Sequence, residues 1–85
     1  MKEGGAMRRE LVGEARCRAA LARYYLLEDG PDGSCGIQIE LEGETASIPD
    51  LSPARERVEA LAAALVRGAV TPVALRDIVD DWLLE

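Results

Sequence analysis

Three aspartates near the end of the sequence have the spacing of a metal-binding helix face. Asp77, Asp80 and Asp81 lie at i, i+3 and i+4, so a helix places their carboxylates on neighbouring positions. Such a group binds a hard cation such as Mg²⁺ when a partner adds oxygen ligands. The same positions also face solvent when the opposite, apolar stripe of the helix is buried. We therefore predict a solvated acidic face and no metal site.

The segment from Asp29 to Glu40 has the outline of another cation site, an EF-hand loop. Its twelve residues begin and end with an acid, as such a loop does. Inside the outline, however, Pro31 and Gly33 stand where ligands are needed, and Ser34 stands where the loop requires glycine. This excludes calcium binding by the segment.

Residues for nucleophilic or acid–base catalysis are scarce. The chain has no histidine, and a cysteine or serine nucleophile needs a positioned base. Glu40 and Glu42 are the candidate bases, but they alternate with apolar residues on a predicted strand and therefore face water. The sequence also has no glycine-rich phosphate loop. We expect a protein that is not an enzyme and has no catalytic residue and no cofactor.

The two cysteines, Cys17 and Cys35, do not form a recognisable redox or metal motif. They make no C-x-x-C pair, and two thiols without histidine do not complete a zinc site. A disulfide between them requires that strands bring them together. The alternative, which we favour for a cytoplasmic protein, is two small buried thiols.

Length, composition and charge indicate one globular domain over residues 1–85. The chain is 48% apolar and 31% charged, and it has neither a membrane-length apolar run nor an apolar signal segment. We therefore expect a cytoplasmic protein that does not enter membranes. Residues 1–23 carry six basic and three acidic side chains, whereas residues 24–51 carry seven acids and no base. The acidic middle argues against nucleic-acid binding, and we expect the basic first strand to pair its charges with an acidic strand across the sheet.

Residues 1–7 are glycine-rich, and we expect them to fray. Hydrophobic periodicity predicts a β region over 8–51 and a helical pair over 52–85. Alternation from Glu14 to Leu21 favours a strand, although the composition suits a helix, and it breaks at a turn or bulge near Ala22-Arg23. Further strands are predicted over 22–28, which looks mostly buried, over 37–42, and over 45–48. Turn-rich residues 29–34 and 42–44 connect them.

Two helices are predicted from their start signals and apolar stripes. Ser52-Pro53 and Thr71-Pro72 each pair a capping hydroxyl with a proline at the first helical position. Gly68 is placed to end the first helix in a left-handed conformation. The predicted fold is α+β, an antiparallel sheet of three or four strands followed by two short C-terminal helices packed on one face. We expect one contiguous core, formed by Ile37, Ile39, Leu41, Val58, Leu61, Leu65, Ile78 and Val79.

Four segments resemble a family of small bacterial proteins of unknown function. They are the Tyr-Tyr-Leu-Leu-Glu run Tyr24 to Glu28, Gly36 to Glu40, Ile48 to Ser52, and Val70 to Leu83 with its Thr-Pro and Asp-Asp-Trp-Leu motifs. The resemblance covers about residues 21–84. It implies strands followed by two helices, and it implies no activity, cofactor or site residue.

The apolar residues at the C-terminus exceed what one helical stripe can bury. Leu84 is turned about 200° from Trp82, so one face of a helix does not bury both. We predict a protein-interaction module that contacts a protein partner or a second copy of the chain through Trp82, Leu83 and Leu84. Two short helices on a small sheet also leave an apolar groove or an unpaired sheet edge for a partner. The alternative is a small-molecule-sensing domain with an apolar pocket between sheet and helices near Tyr24, Tyr25 and Trp82.

Overall fold

The computed structural model describes residues 7–29 and 33–84 and shows a sheet followed by helices. Four antiparallel strands pair in sequence order: β1 (Met7–Cys17), β2 (Ala20–Asp29), β3 (Cys35–Leu41) and β4 (Glu44–Ser52). The helices are α1 (Arg55–Arg67) and α2 (Leu75–Leu83), and a short 3₁₀ helix, Pro72–Ala74, directly precedes α2. The predicted α+β class is confirmed, with four strands. Residues 1–6 of the segment predicted to fray lie outside the described residues.

The first hairpin turns earlier than predicted. β1 and β2 pair from Met7↔Asp29 to Cys17↔Ala20, so the turn lies at Arg18-Ala19 and the turn predicted near Ala22-Arg23 is wrong. The two long strands are joined by only these two residues, and Arg18 adopts a φ of 58° to close the turn. The alternation breaks because the residues on either side of Arg18-Ala19 belong to different strands.

The β3–β4 hairpin is longer than predicted because β4 contains a bulge. The register changes from Ile37↔Ile48 to Cys35↔Ser52, so three residues of β4 lie opposite Gly36. A Cβ atom on Gly36 would lie 2.3 Å from the carbonyl oxygen of Ile48, so glycine is needed at this close approach. β4 therefore runs to Ser52 rather than ending at Ile48.

The second helical segment begins at Pro72 after Thr71, as predicted, although its first turn is a 3₁₀ helix, whereas α1 begins later than the predicted Ser52-Pro53. Neither predicted hydroxyl caps a helix. Ser52 is the last residue of β4, in keeping with the extended conformation favoured before a proline, and α1 begins at Arg55. The Ser52 hydroxyl accepts a hydrogen bond from the Ala54 N–H, 3.1 Å away. Thr71 precedes the 3₁₀ helix and makes no side-chain cap bond, although its carbonyl accepts the Ala74 N–H at 3.1 Å.

α1 ends in a Schellman motif whose left-handed residue lies one position after the predicted glycine. The Val70 N–H donates to the Leu65 carbonyl and the Ala69 N–H to the Val66 carbonyl, each at 3.1 Å. This pair of bonds places Ala69 in the left-handed region with φ 49°, whereas Gly68 has φ −87°. The prediction that Gly68 adopts the left-handed conformation is wrong.

The core lies between the helices and one face of the sheet, as predicted. Tyr24 and Leu26 of β2 join it and are at most 1% exposed. All eight residues predicted for the core belong to it. Leu41 and Ile78 are partly buried. The other six are buried: Ile37, Ile39, Val58, Leu61, Leu65 and Val79. The alternation of β3 and the stripes of both helices therefore share one face.

Candidate functional site

The sheet has a second face that turns away from the helices. Side chains alternate along a strand, so β2 directs Tyr24 and Leu26 towards the helices and Tyr25 and Leu27 to the other side. Within residues 7–29 and 33–84, no helix or strand covers this side, which we call the open face. By the strand registers it comprises Arg9, Leu11, Glu14, Arg16, Leu21, Arg23, Tyr25, Leu27, Gln38, Glu40, Thr45 and Ser47.

A polar network crosses the open face through Arg9. The Arg9 guanidinium stacks 4.1 Å from the centroid of the Tyr25 ring and donates to Gln38 Oε1 at 3.1 Å and Glu40 Oε2 at 2.9 Å. The Tyr25 hydroxyl donates to Glu40 Oε1 at 3.2 Å, and Gln38 Nε2 donates to Ser47 Oγ at 3.0 Å. The network confirms the predicted pairing of charges across the sheet, since Arg9 on β1 reaches Glu40 on β3 over the intervening β2.

Apolar side chains remain on the open face beside this network. Leu11 and Leu21 are 50% and 44% exposed, and Leu27 lies opposite Arg9 and Gly36 with 4% exposure. A second ion pair, Arg23 Nε to Glu14 Oε2 at 3.2 Å, lies between β2 and β1. The open face therefore combines leucines with two ion pairs, Arg9–Glu40 and Arg23–Glu14.

An ion cluster on the covered side fixes α1 to the sheet. Arg55 contacts Glu10 of β1 at 2.7 Å, Glu28 of β2 at 2.9 Å and Glu59 of α1 at 2.9 Å. Hydrogen bonds to Glu59 and Glu10 raise the pKa of Arg55 above its ordinary value. Because one guanidinium joins three elements, we assign the cluster a structural role.

The cysteines are separate free thiols, as expected, but only Cys35 is buried, so the prediction of two buried thiols is wrong for Cys17. Cys17 lies on β1 and Cys35 on β3, with β2 between them. Cys35 is buried, and burial raises the pKa of its thiol, as does the neighbouring Glu28 carboxylate. Cys17 is only half-buried, and its Sγ lies 3.4 Å from the carbonyl oxygen of Ala69.

The three large aromatic side chains lie on two sides of the sheet. Tyr24 is fully buried on the covered side, where its hydroxyl donates to the Val70 carbonyl at 2.8 Å and burial chiefly raises its pKa to about 12. Trp82 is half-buried against the same core, with the Arg57 guanidinium 4.9 Å from its ring. Tyr25 lies on the open face. It therefore does not join Tyr24 and Trp82 around the single pocket expected from the sequence.

The predicted C-terminal contact cluster is divided between core and surface. Trp82 packs against the core, whereas Leu83 at the end of α2 and Leu84 beyond it are 57% and 85% exposed. Leu83 and Leu84 thus lie together at the surface, and their role in an interface stays a prediction.

The aspartates of α2 are exposed at positions 77, 80 and 81. Across the described residues, no three histidine, cysteine, aspartate or glutamate side chains come together as a metal site. The EF-hand outline falls partly on residues 30–32, which lie outside the described residues. No helix in the described part of the chain combines the length and apolar character needed to cross a membrane.

The architecture defines a two-layer α+β domain, with a four-stranded antiparallel meander in one layer and two helices in the other. The chain belongs to a family described as a family of unknown function (DUF6514), whose model matches residues 7–85. This confirms the resemblance to a family of unknown function in which strands precede two helices. Neither the comparison with curated proteins nor that with solved structures found a match.

Proposed function

We propose that this domain is a non-catalytic protein-interaction module that self-associates through the open face. The observation that carries the proposal is a sheet covered on one side only, with Leu11 and Leu21 about half exposed on the other side. The outer face of a two-layer protein is ordinarily polar, because only the inner face packs on a core. Exposed apolar side chains bordered by polar ones are typical of protein–protein contacts.

The polar groups of the open face suit a contact surface. Arg9 and Tyr25 each donate a hydrogen bond to Glu40, and the Arg9 guanidinium stacks on the Tyr25 ring. A partner that covers them therefore removes paired rather than isolated charges from water. Arginine and tyrosine are also the residues that contribute most to interfaces. Since these side chains already bond to each other, we propose a role in binding rather than catalysis.

A second copy of the chain is the partner that we propose. Four strands of the observed lengths present a face of about 19 Å by about 27 Å, or about 500 Å². Two such faces bury about 1,000 Å² in all, the lower limit for a specific interface, so we expect a dimer that forms at micromolar concentrations. Two free thiols suit a reducing compartment, and we propose the cytoplasm as the location.

The C-terminal leucines are the competing location for self-association. α2 packs on the covered side of the sheet, so Leu83 and Leu84 do not share a contact with the open face. The same substitution on each surface therefore separates the two. We propose to compare Leu11→Glu with Leu84→Glu, because Leu84 is the more exposed leucine and tolerates glutamate at least as well.

The experiment is sedimentation equilibrium or light scattering of the full chain up to high micromolar concentration. We expect the unmodified protein and Leu84→Glu to gain mass with concentration and Leu11→Glu to remain monomeric. An unmodified protein that is monomeric throughout refutes self-association. Dissociation by Leu84→Glu but not by Leu11→Glu retains self-association and moves it to the C-terminal cluster.

The small-molecule-sensing alternative is supported by one groove at the turn end of the sheet. It has a volume of about 460 Å³ and lies between the β1–β2 turn and the 3₁₀ helix, with Ala20, Leu41 and Val73 in its wall. If sensing is the function, a small apolar ligand should raise the melting temperature of the protein. A Val73→Glu variant should then lose that response while its oligomeric state stays unchanged.

A further inference from the structure

The charges of the open face are distributed unevenly across the sheet. β1 and β2 carry its three arginines, Arg9, Arg16 and Arg23, and one carboxylate, Glu14, so this side of the face has a net charge of +2. On the other side of the face, β3 carries the carboxylate of Glu40. Glu42, in the turn that follows β3, lines the same surface hollow as Arg23. The strand order β1-β2-β3-β4 therefore makes one side of the face basic and the other acidic. Such a face complements a copy of itself that is turned so that the two sides exchange.

We infer that two copies stack open face to open face about a two-fold axis parallel to the strands, so that Arg23 of each copy meets Glu40 of the other. This inference rests on the proposed function and specifies its geometry. An axis parallel to the strands lays β2 of one copy on β3 of the other, and β1 of one copy on β4 of the other. It leaves each residue's position along the strand direction, which we call its height, unchanged. An axis across the strands lays β1 on β1, β2 on β2 and β3 on β3, so Arg23 on β2 does not meet Glu40 on β3. Stacked sheets align within about 30°, so these positions hold near the axis.

The strand register identifies the residues that meet. Arg23 and Glu40 are cross-strand partners, as are Tyr25 and Gln38, so the members of each pair lie at the same height. With the axis between β2 and β3, each Arg23 therefore lies over the Glu40 of the other copy. Arg23 is accessible for this contact, since its side chain is 53% exposed and Glu40 is 34% exposed. Its contact with Glu14 uses Nε, and an arginine carries four further N–H donors.

The test is a mixing experiment with two charge reversals, Arg23→Glu and Glu40→Arg. Each variant alone places like charges across the interface twice, and we expect its dimer to dissociate at least about tenfold more readily. In an equal mixture, the substituted position of one chain faces the substituted position of the other with opposite charge, and the remaining contact is the native one. We therefore expect the mixture to regain dimer as a heterodimer. Arg67→Glu, the same charge change on the exposed side of α1, is the control that should leave dimerisation unaltered.

Mixing separates the interface from effects inside one chain. Glu40→Arg also removes the bonds from Arg9 and Tyr25, but a second chain does not restore those bonds. Recovery of dimer on mixing therefore reports the contact between copies. If the unmodified protein dimerises and the mixture does not recover, this arrangement is wrong while the proposed function stands. If the unmodified protein never dimerises, both are wrong.

A second measurement tests the same axis if a charge reversal does not fold. Leu11 and Ser47 lie at one height through the pairs Leu11↔Tyr25, Tyr25↔Gln38 and Gln38↔Ser47, and β1 of one copy lies on β4 of the other. Stacked sheets lie about 10 Å apart, which is too far for a disulfide but within reach of a short bismaleimide crosslinker. With that reagent, Leu11→Cys mixed with Ser47→Cys should give a linked heterodimer in higher yield than either variant alone. Equal yields in the mixture and in the separate variants overturn the arrangement.

Discussion

Exchanging the order of glycine and alanine at the end of α1 should stabilise the domain. Ala69 adopts φ 49°, a left-handed conformation, whereas Gly68 adopts φ −87° and ψ 0°, which any residue accepts. A residue with a Cβ atom loses about 1–2 kcal/mol in the left-handed region, and glycine does not. Glycine also has more conformational freedom than alanine in the unfolded chain, and this reduces the gain in stability by about 0.4–1 kcal/mol. We expect Ala69→Gly to raise the free energy of unfolding by about 0.5–1 kcal/mol.

The reverse substitution at position 68 should add to this gain. A Cβ atom on Gly68 would lie 3.5 Å from the Ala64 carbonyl oxygen and 3.5 Å from Val70 Cγ2, which is ordinary contact. Alanine at this position restricts the unfolded chain and contributes about 0.4–1 kcal/mol. The double variant Gly68→Ala/Ala69→Gly should therefore gain about 1–2 kcal/mol, or several degrees in melting temperature for a domain of this size.

Urea unfolding followed by far-UV circular dichroism and Trp82 fluorescence measures this change. The midpoint should rise while the slope with urea stays constant, because the surface exposed on unfolding is unaltered. Ala60→Gly in the exposed middle of α1 is the matched control, and it should lower the free energy of unfolding by about 1 kcal/mol. If Ala69→Gly lowers the midpoint as Ala60→Gly does, then residue 69 is not left-handed and the reasoning fails.

Three further predictions use the same unfolding assay. Gly36→Ala should destabilise by about 1–3 kcal/mol or more, because its Cβ would lie 2.3 Å from the Ile48 carbonyl oxygen; an unchanged midpoint contradicts the bulge. Thr71→Ala should change stability by no more than about 0.5 kcal/mol, because no cap bond is lost; a loss near 1 kcal/mol indicates a hydroxyl cap. Tyr24 keeps its proton to a pKa of about 12 in the folded protein, against 10.0 ordinarily, so stability is complete below pH 10 and falls as the pH rises towards 12. Tyr24→Phe should flatten that decline, and an equally steep decline in the variant excludes Tyr24 as its cause.

The elements that follow a local period were predictable from the sequence. The alternation around Ile37 and Ile39 and the helical stripe around Leu61 and Leu65 each define a buried face without knowledge of the rest of the chain. The places where prediction failed are those where long-range pairing decides the backbone. Arg18 is a poor turn residue, yet it adopts a positive φ because ten registered residues of β1 pair with β2 around it. The sequence places a glycine at 68, one residue before the position at which the Schellman bonds require the left-handed conformation.

The sequence predicted an uncovered, polar face of the sheet, but the apolar residues on that face were missed for a different reason. The run Tyr24-Tyr25-Leu26-Leu27 was predicted to be a mostly buried strand, and the structure confirms this, with Tyr25 half-buried and the other three buried. A strand that is apolar on both faces belongs between two covering layers. Among residues 7–29 and 33–84, both helices lie on one side of the sheet, so no helix accounts for the apolar residues on the other side of β2.

This mismatch also connects the sequence to the proposed self-association. On the covered side, Tyr24 and Leu26 are matched by the stripes of α1 and α2. On the open side, Tyr25 and Leu27 are flanked by side chains of the sheet itself, among them Arg9, Gln38 and Glu40. In the proposed dimer, a second open face covers Tyr25 and Leu27 and brings β3, which carries Glu40, onto β2, which carries Arg23. The apolar pattern of β2 suits the central layer of that proposed dimer, and the two charge-reversal variants test the proposal directly.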